Sequence, residues 1–281
     1  AGAPAVLNID DPRVASLADR RSPAVTFAVD RDADVMPASL PSSLMGLSFD
    51  ARTPVGTLRV NSRLAGRFNL YNLLAAAATG VALGLPVSAI ETGLAAVTAV
   101  PGRFQIVSSP DDDVAVIVDY AHTDDALKNL LEAVRPLAKA RMITVFGCGG
   151  DRDRTKRSLM GAVAARLSDL VVITSDNPRS EDPEAIIDEI ERGIAPAAER
   201  ARQASGVAAN GTGRAATPWI RIADRREAIA RAVGDAGSGD VVVIAGKGHE
   251  KTQVLRDREF PFDDVAVAQE VLRDRRLGRA S

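Results

Sequence analysis

Cysteine is nearly missing from this sequence: its 281 residues hold only Cys148. A lone cysteine closes no internal disulfide and fits a reducing cytosol, so a cytoplasmic setting is expected. Aromatic residues are scarce at 4%, and the formal net charge is only −2, with Arg and Asp interspersed. Neither a base-stacking surface nor a basic stripe is visible, which argues against nucleic acid as a partner. The two histidines, His122 and His249, have no Cys-x-x-Cys or His-x-x-x-His companion. Hydrogen bonding within loops is expected of them, and no metal site. Cys148 ends a strand with no base beside it, so it reads as a packed small residue rather than a nucleophile. The phosphate-loop spacing G-x-x-x-x-G-K-[ST] occurs nowhere, and GCGG (147–150) also falls short of G-x-G-x-x-G. The N-terminus shows no secretory leader pattern. It starts a few residues before its first strand, as a truncated chain would, so a front portion is expected to be missing.

What is present is ordinary globular material. Apolar residues make up 46% and charged residues 26%, enough for a sizeable core in one large or two medium domains. Residues 68–90, FNLYNLLAAAATGVALGLPVSAI, carry no charge and are long enough to span a bilayer. They are, however, rich in Ala and Gly, hold Asn69 and Asn72 near their start, and are broken by Gly84 and Pro86. Two buried helices joined by a G-L-P turn are expected, with no membrane insertion. Short runs at Ala5–Ile9, 25–29 and 55–60 read as strands. PGRF at 101–104 breaks the periodicity like an interdomain joint, dividing the chain into 1–100 and 101–281.

From residue 105 strands and helices alternate. Apolar runs at 114–120, 143–147, 170–176, 219–222 and 240–246 are strands, and 124–137, 156–167, 182–194, 224–233 and 262–272 are helices. Strands apolar on both faces, interleaved with helices, imply an α/β fold with a mainly parallel sheet covered on both sides. Residues 197–218 are poor in bulky apolar side chains and read as a surface insertion or mobile loop.

In such sheets ligands bind beyond the C-terminal strand ends. The polar clusters fall there: Asp119-Tyr120-Ala121-His122, GCGGDRDRTKR (147–157), Asp176-Asn177-Pro178-Arg179, and Gly246-Lys247-Gly248-His249-Glu250. Each alone is compatible with a solvated turn or a helix cap; four on one edge make a pocket. Arg152 and Arg179 each offer a planar fork to a carboxylate, although the run around Arg152 also suits a solvated cationic helix start. Glu250 can accept an ammonium, and Asn177 can donate and accept. Pro178 stiffens the turn and extends Asn177. The set suits a zwitterion: an amino acid with one or two carboxylates and an amine.

DYAHTDDAL, FGCGGDRDRTKR, TSDNPRSEDP and AGKGHE, in this order and spacing, resemble the C-terminal domain of the Mur ligases, in particular the branch that adds meso-2,6-diaminopimelate. NLYN (69–72) and PGRF resemble the end of the family's central domain and its linker. The resemblance covers nearly the whole chain, and D-N-P-R is its most specific part; lysine-adding relatives lack that Arg. It implies the tail of an ATPase-type central domain followed by a Rossmann-like C-terminal domain. It implies that Arg152, Asp176, Asn177, Pro178, Arg179, Gly246 and Glu250 line a diaminopimelate site, and that Asn69, Asn72, Arg103 and Asp119 belong to the set that meets ATP. The implied reaction joins diaminopimelate to UDP-N-acetylmuramoyl-L-alanyl-D-glutamate through an acyl phosphate, with ATP and Mg2+, in peptidoglycan synthesis. The family's phosphate loop, metal-binding Glu and His, and carbamylated Lys are absent from these residues, and Asp124 replaces a usual Pro. This chain by itself is therefore expected neither to hydrolyse ATP nor to form an amide. A non-catalytic amino-acid-binding relic or scaffold, or another ligase of the Mur or folylpolyglutamate type, remains the alternative.

Overall fold

The computed structural model describes residues 4–18, 24–39, 46–204 and 217–280. The chain divides into two compact units, Ala1–Val100 and Pro101–Ser281.

In the first unit, β1 (Ala5–Asn8) is followed by α1 (Pro12–Ala18) and pairs in parallel with β2 (Ala24–Phe27). A three-stranded antiparallel sheet follows: β3 (Met36–Pro37), β4 (Leu47–Thr53) and β5 (Gly56–Ser62). Leu47, Phe49, Ala51 and Thr53 of β4 alternate inward, as a half-buried strand requires. The uncharged stretch forms α2 (Arg67–Ala82) and α3 (Val87–Ala96), broken between them at Gly84 and Pro86. Leu70, Leu73, Leu74 and Ala77 of α2 and Ile90 and Leu94 of α3 pack with Leu58 and Val60 of β5. The helices are buried because they face this sheet, and no described helix is long and apolar enough to cross a membrane.

The second unit is built on a six-stranded sheet. Its elements are β6 (Gln105–Ile106), β7 (Ala115–Asp119), α4 (Asp124–Val134), β8 (Met142–Phe146), α5 (Thr155–Leu167), β9 (Leu170–Ile173), α6 (Pro183–Ala204), β10 (Trp219–Arg221), α7 (Arg225–Asp235) and β11 (Val241–Ala245). A hairpin of β12 (Thr252–Leu255) and β13 (Arg258–Pro261) precedes α8 (Asp264–Ala280). The sheet order is β10-β9-β8-β11-β7-β6. All pairings are parallel except that of edge strand β6 with β7. Helices α7 and α8 cover one face, where Ala228, Ile229, Val233, Val267 and Leu272 meet Val116, Val118, Ile143, Val145 and Val242. Each such aliphatic contributes about 2 kcal/mol of burial free energy. Helices α4, α5 and α6 pack together as the other layer. The chain runs outward through β8, β9 and β10, then returns to place β11 between β8 and β7, which opens a crevice at the strand ends.

One expectation is corrected. Part of the anticipated loop 197–218 is helix, since α6 runs on to Ala204. Its Ala-, Glu- and Arg-rich end is poor in bulky side chains but strong in helix propensity, which outweighs Pro196 within it. Residues 205–216 lie outside the described residues. The chain re-enters at a buried Thr217, whose hydroxyl donates to the Ala165 carbonyl at 2.7 Å.

Candidate functional site

The glycines after β8 face the loop after β9 rather than a phosphate. A Cβ on Gly147 would lie 2.3 Å from the Thr174 carbonyl oxygen, and one on Gly150 only 1.8 Å from that of Pro178. Side chains are forbidden there because two backbones touch. Gly150 N–H donates to the Asn177 carbonyl at 2.9 Å, and Arg179 Nη1 donates to the Gly150 carbonyl at 2.8 Å. The two loops are thereby sewn into one surface.

A second clasp lies beneath that surface. Arg157, in the first turn of α5, is fully buried. It donates to both oxygens of Glu181 at 2.7 and 2.8 Å, to Glu189 at 2.9 Å and to the Gly149 carbonyl at 3.3 Å. Glu181 also accepts Asp151 N–H at 2.7 Å. Hydrogen bonding from Arg157 pulls its carboxyl down to about 2. Asp151 in turn accepts the Ser180 hydroxyl at 2.6 Å, which holds its carboxyl pKa below the ordinary value.

This frame leaves two guanidinium groups over. Arg152 is exposed and touches only the Asp151 carbonyl, at 3.2 Å. Arg179, half-buried, spends one nitrogen on the Gly150 and Asn177 carbonyls, the latter at 3.5 Å. Among the described residues neither pairs with a carboxylate. Both flank Gly149: a Cβ there would lie 2.9 Å from Arg179 Nη1 and 3.8 Å from Arg152 Cγ. Arg179 holds a left-handed φ of 54°, which costs a non-glycine residue on the order of 1 kcal/mol. Hairpin β12–β13 sustains it: Arg179 N–H donates to the Val254 carbonyl at 3.0 Å, and Arg256 N–H donates to the Arg179 carbonyl at 2.5 Å.

Asn177 is the node beside them. Its Oδ1 accepts from Lys247 Nζ at 2.9 Å and Val254 N–H at 2.9 Å, and its Nδ2 donates to Glu250 Oε2 at 2.8 Å. Two donors on one atom fix which end of the amide is oxygen. Asp176 is buried, with Oδ1 lacking any hydrogen-bond partner and lying 3.5 Å from Lys247 Nζ. Gly246 lies alongside, its Cβ position 3.9 Å from Asp176 Oδ2 and its N–H donating to the Asp119 carbonyl at 3.1 Å. Pro178 is buried within the turn and its carbonyl accepts Glu181 N–H at 3.1 Å. Arg152, Asp176, Asn177, Pro178, Arg179, Gly246 and Glu250 are thus gathered at one rim.

The other candidates have partners of their own. Asp119 accepts Phe104 N–H at 2.7 Å and Ala121 N–H at 2.8 Å, so each oxygen anchors a turn. Burial pushes its carboxyl pKa above the ordinary value, countered in part by those N–H groups and Arg103. Arg103 lies over the Tyr120 ring at 5.0 Å, and Tyr120 stacks near His122 and His249 at 4.6 and 5.0 Å. In the first unit Asn69 is buried, donating to the Ala65 carbonyl at 2.8 Å, and Asn72 donates to Asn69 at 3.3 Å. No cluster of acidic, histidine or cysteine side chains suited to a metal occurs among the described residues.

Buried cations are what sequence reasoning missed. Lys247 and Arg157 are fully buried, as is Arg225, which grips Asp264 through Nε and Nη2 at 2.8 Å each and caps the Ala245 carbonyl at 3.0 Å. Burial disfavours the Arg225 charge, but Asp264, Asp176 and Glu250 outweigh it and hold the proton more tightly. The available signal was position: Lys247 directly follows the β11 strand end between two glycines, and Arg225 opens a helix behind the same edge.

The chain is similar to known proteins over nearly its whole length. Residues 102–248 match the model of the Mur ligase glutamate ligase domain, and residues 1–80 that of the Mur ligase middle domain. A UDP-N-acetylmuramoyl-L-alanyl-D-glutamate–2,6-diaminopimelate ligase of Gloeobacter violaceus is 48% identical over 97% of this chain and 52% of its own length. The enzyme of that name from Alkaliphilus metalliredigens is 44% identical, again over 97% and 52%. The chain spans about half the length of these relatives. A solved structure of a ligase of the same name is 35% identical, with a TM-score of 0.65 over 97% of this chain and 53% of that one. A folylpolyglutamate synthase from Thermotoga maritima, 19% identical with a TM-score of 0.58 over 84% of this chain and 48% of that one, shares the fold.

Proposed function

We propose that this chain, which belongs to the Mur ligase family, supplies the amino-acid-binding part of an ATP-dependent ligase that adds meso-2,6-diaminopimelate to UDP-N-acetylmuramoyl-L-alanyl-D-glutamate. One observation carries the reading. Arg152 and Arg179 flank Gly149 without carboxylate partners, beside an acidic group formed by Asp176 and Glu250. Paired guanidinium forks suit a carboxylate, and the acidic group suits an ammonium. Together they hold one amino-acid head of a two-headed substrate and leave the other amine to attack an activated carboxyl. Lysine has an amine where diaminopimelate has that second head, so Arg179 would lose its ligand.

The residues gathered here do binding and orientation. Asn177 and Glu250 fix the direction of the ammonium, the sewn loops fix the guanidinium groups, and the crevice between β8 and β11 supplies the wall. Asn69, Asn72, Arg103 and Asp119 would be this chain's share of the ATP site. They do not amount to a phosphate cradle: Asn69 and Asp119 already hold backbone groups. The described residues do not fit a magnesium site either, and no step is assigned to one. A cytoplasmic setting with small-molecule partners belongs to the same proposal.

Calorimetric titration of the 281-residue chain tests it. Diaminopimelate should bind, with lysine at least tenfold weaker, and Arg179→Ala should weaken diaminopimelate by about tenfold or more, a charged hydrogen bond being worth roughly 1.5–3 kcal/mol. Lysine binding should be unmoved by that change. Equal heats for the two ligands, or none, would sink the reading.

A further inference from the structure

The charged groups in contact under the site do not balance among themselves. Lys247 is fully buried, with Nζ 2.9 Å from Asn177 Oδ1, 3.2 Å from Glu250 Oε2 and 3.5 Å from Asp176 Oδ1. Behind it Arg225 and Asp264 are both fully enclosed, and Asp176 and Glu250 act on Arg225 as well. Within this contact set, which leaves out the two guanidinium groups of the rim, two cations meet three carboxylates. The orphan within it is Asp176 Oδ1, buried and without a hydrogen-bond partner. Among the described residues it meets only the Lys247 ammonium, at 3.5 Å, and a buried charge short of hydrogen bonds is costly unless something completes it. A ligand ammonium placed against Asp176 and Glu250 completes it.

We propose that Lys247 is the positioning residue of the amino-acid site, and that it sets both the geometry and the charge for a single ammonium. This rests on the amino-acid-binding reading above. Geometrically, its ammonium joins Val254 N–H in holding Asn177 Oδ1, which turns Nδ2 toward Glu250 Oε2, and it also donates to that carboxylate directly. Electrostatically, it lets Asp176 and Glu250 stand together as anions with one net negative charge. Without Lys247 the two carboxylates lose the one cation in contact with both, and Arg225 behind them is matched by Asp264. The pair then retains a proton, and an incoming ammonium has to displace it. Lys247 itself makes no contact that needs a ligand, since its described partners all belong to the protein.

The test uses the full 281-residue chain with Lys247→Met, which keeps the length of the side chain, and Lys247→Gln, which keeps a donor but no charge. Proton NMR of the Asn177 side-chain amide, without ligand, reads the geometry. The amide should exchange slowly in the wild type, quickly in Lys247→Met, and at an intermediate rate in Lys247→Gln. Calorimetry with meso-diaminopimelate in buffers of different ionisation heat reads the charge. Both variants should bind about tenfold more weakly, a charged hydrogen bond's worth, and release about one proton per ligand, whereas the wild type releases none. A variant damaged only in packing would lose affinity without proton release. If Lys247→Met fails to fold, Lys247→Gln carries both readouts. An unchanged Asn177 amide, or weakened binding without proton release, overturns the role of Lys247. A wild type that gives the amide pattern but no heat with diaminopimelate overturns the substrate reading and leaves the positioning role standing.

Discussion

Cys148 lies two residues past the end of β8 with its thiol against the Met160 sulfur at 3.6 Å, and burial pushes its pKa up to about 12. The thiolate is the reactive form, so the native chain should resist alkylation at neutral pH. Iodoacetamide labelling followed by mass measurement should show negligible modification until denaturant is added; rapid labelling of the folded chain would contradict the packing. Here sequence and structure agree, because a cysteine with no base nearby has little else to do than fill space. The same kind of reading singled out Arg152 and Arg179, which stand without carboxylate partners among the described residues. It failed for Lys247, Arg157 and Arg225. A long cationic side chain reads as surface unless its partners are known, and those partners come from loops far away: Glu181 and Glu189 for Arg157, Asp264 for Arg225. Within DRDRTKR the exposed residue and the buried one stand five positions apart, at Arg152 and Arg157, and no local pattern separates them.

Among the elements, the regular strand–helix alternation from β7 onward was legible because β7, β8, β9 and β11 are continuous apolar runs, separated by longer segments that mix charged and apolar residues. Hairpin β12–β13 was not. TQVL and REFP are short, flank an exposed turn and bury little, yet they hold Arg179 from both sides. Strand β4 was passed over although LSFDART alternates cleanly, since its outward Ser, Asp and Arg masked the inward residues. What binds the candidate loops at this scale is the Arg157–Glu181–Asp151 clasp. Glu181 is held at about 2, below its ordinary 4.5, so its contribution is complete above that ordinary range and fades as pH falls toward about 2. Glu181→Gln should therefore lower the urea midpoint at neutral pH, and the gap to the wild type should close between those two values. A gap of constant size across that range would mean that the clasp does not depend on the carboxylate charge.

For the molecule as a whole, the second unit carries its own core and its own site. The aliphatic cluster between its sheet and helices α7 and α8 is drawn entirely from residues beyond Val100. The same holds for every side chain gathered at the candidate rim, from Arg152 to Glu250. A unit whose apolar interior and polar frame are both internal has what cooperative folding requires. Residues 101–281 expressed alone should therefore show a single sharp thermal transition by circular dichroism. They should bind diaminopimelate within about threefold of the longer chain, a difference of under 1 kcal/mol. Separating the readouts matters, because the loops could fold correctly and still lose the ligand. A cooperative transition with binding weakened by tenfold or more would mean that the first 100 residues contribute to the amino-acid site. A broad transition with exposed apolar surface would mean that the aliphatic layers under α7 and α8 do not suffice to hold the sheet.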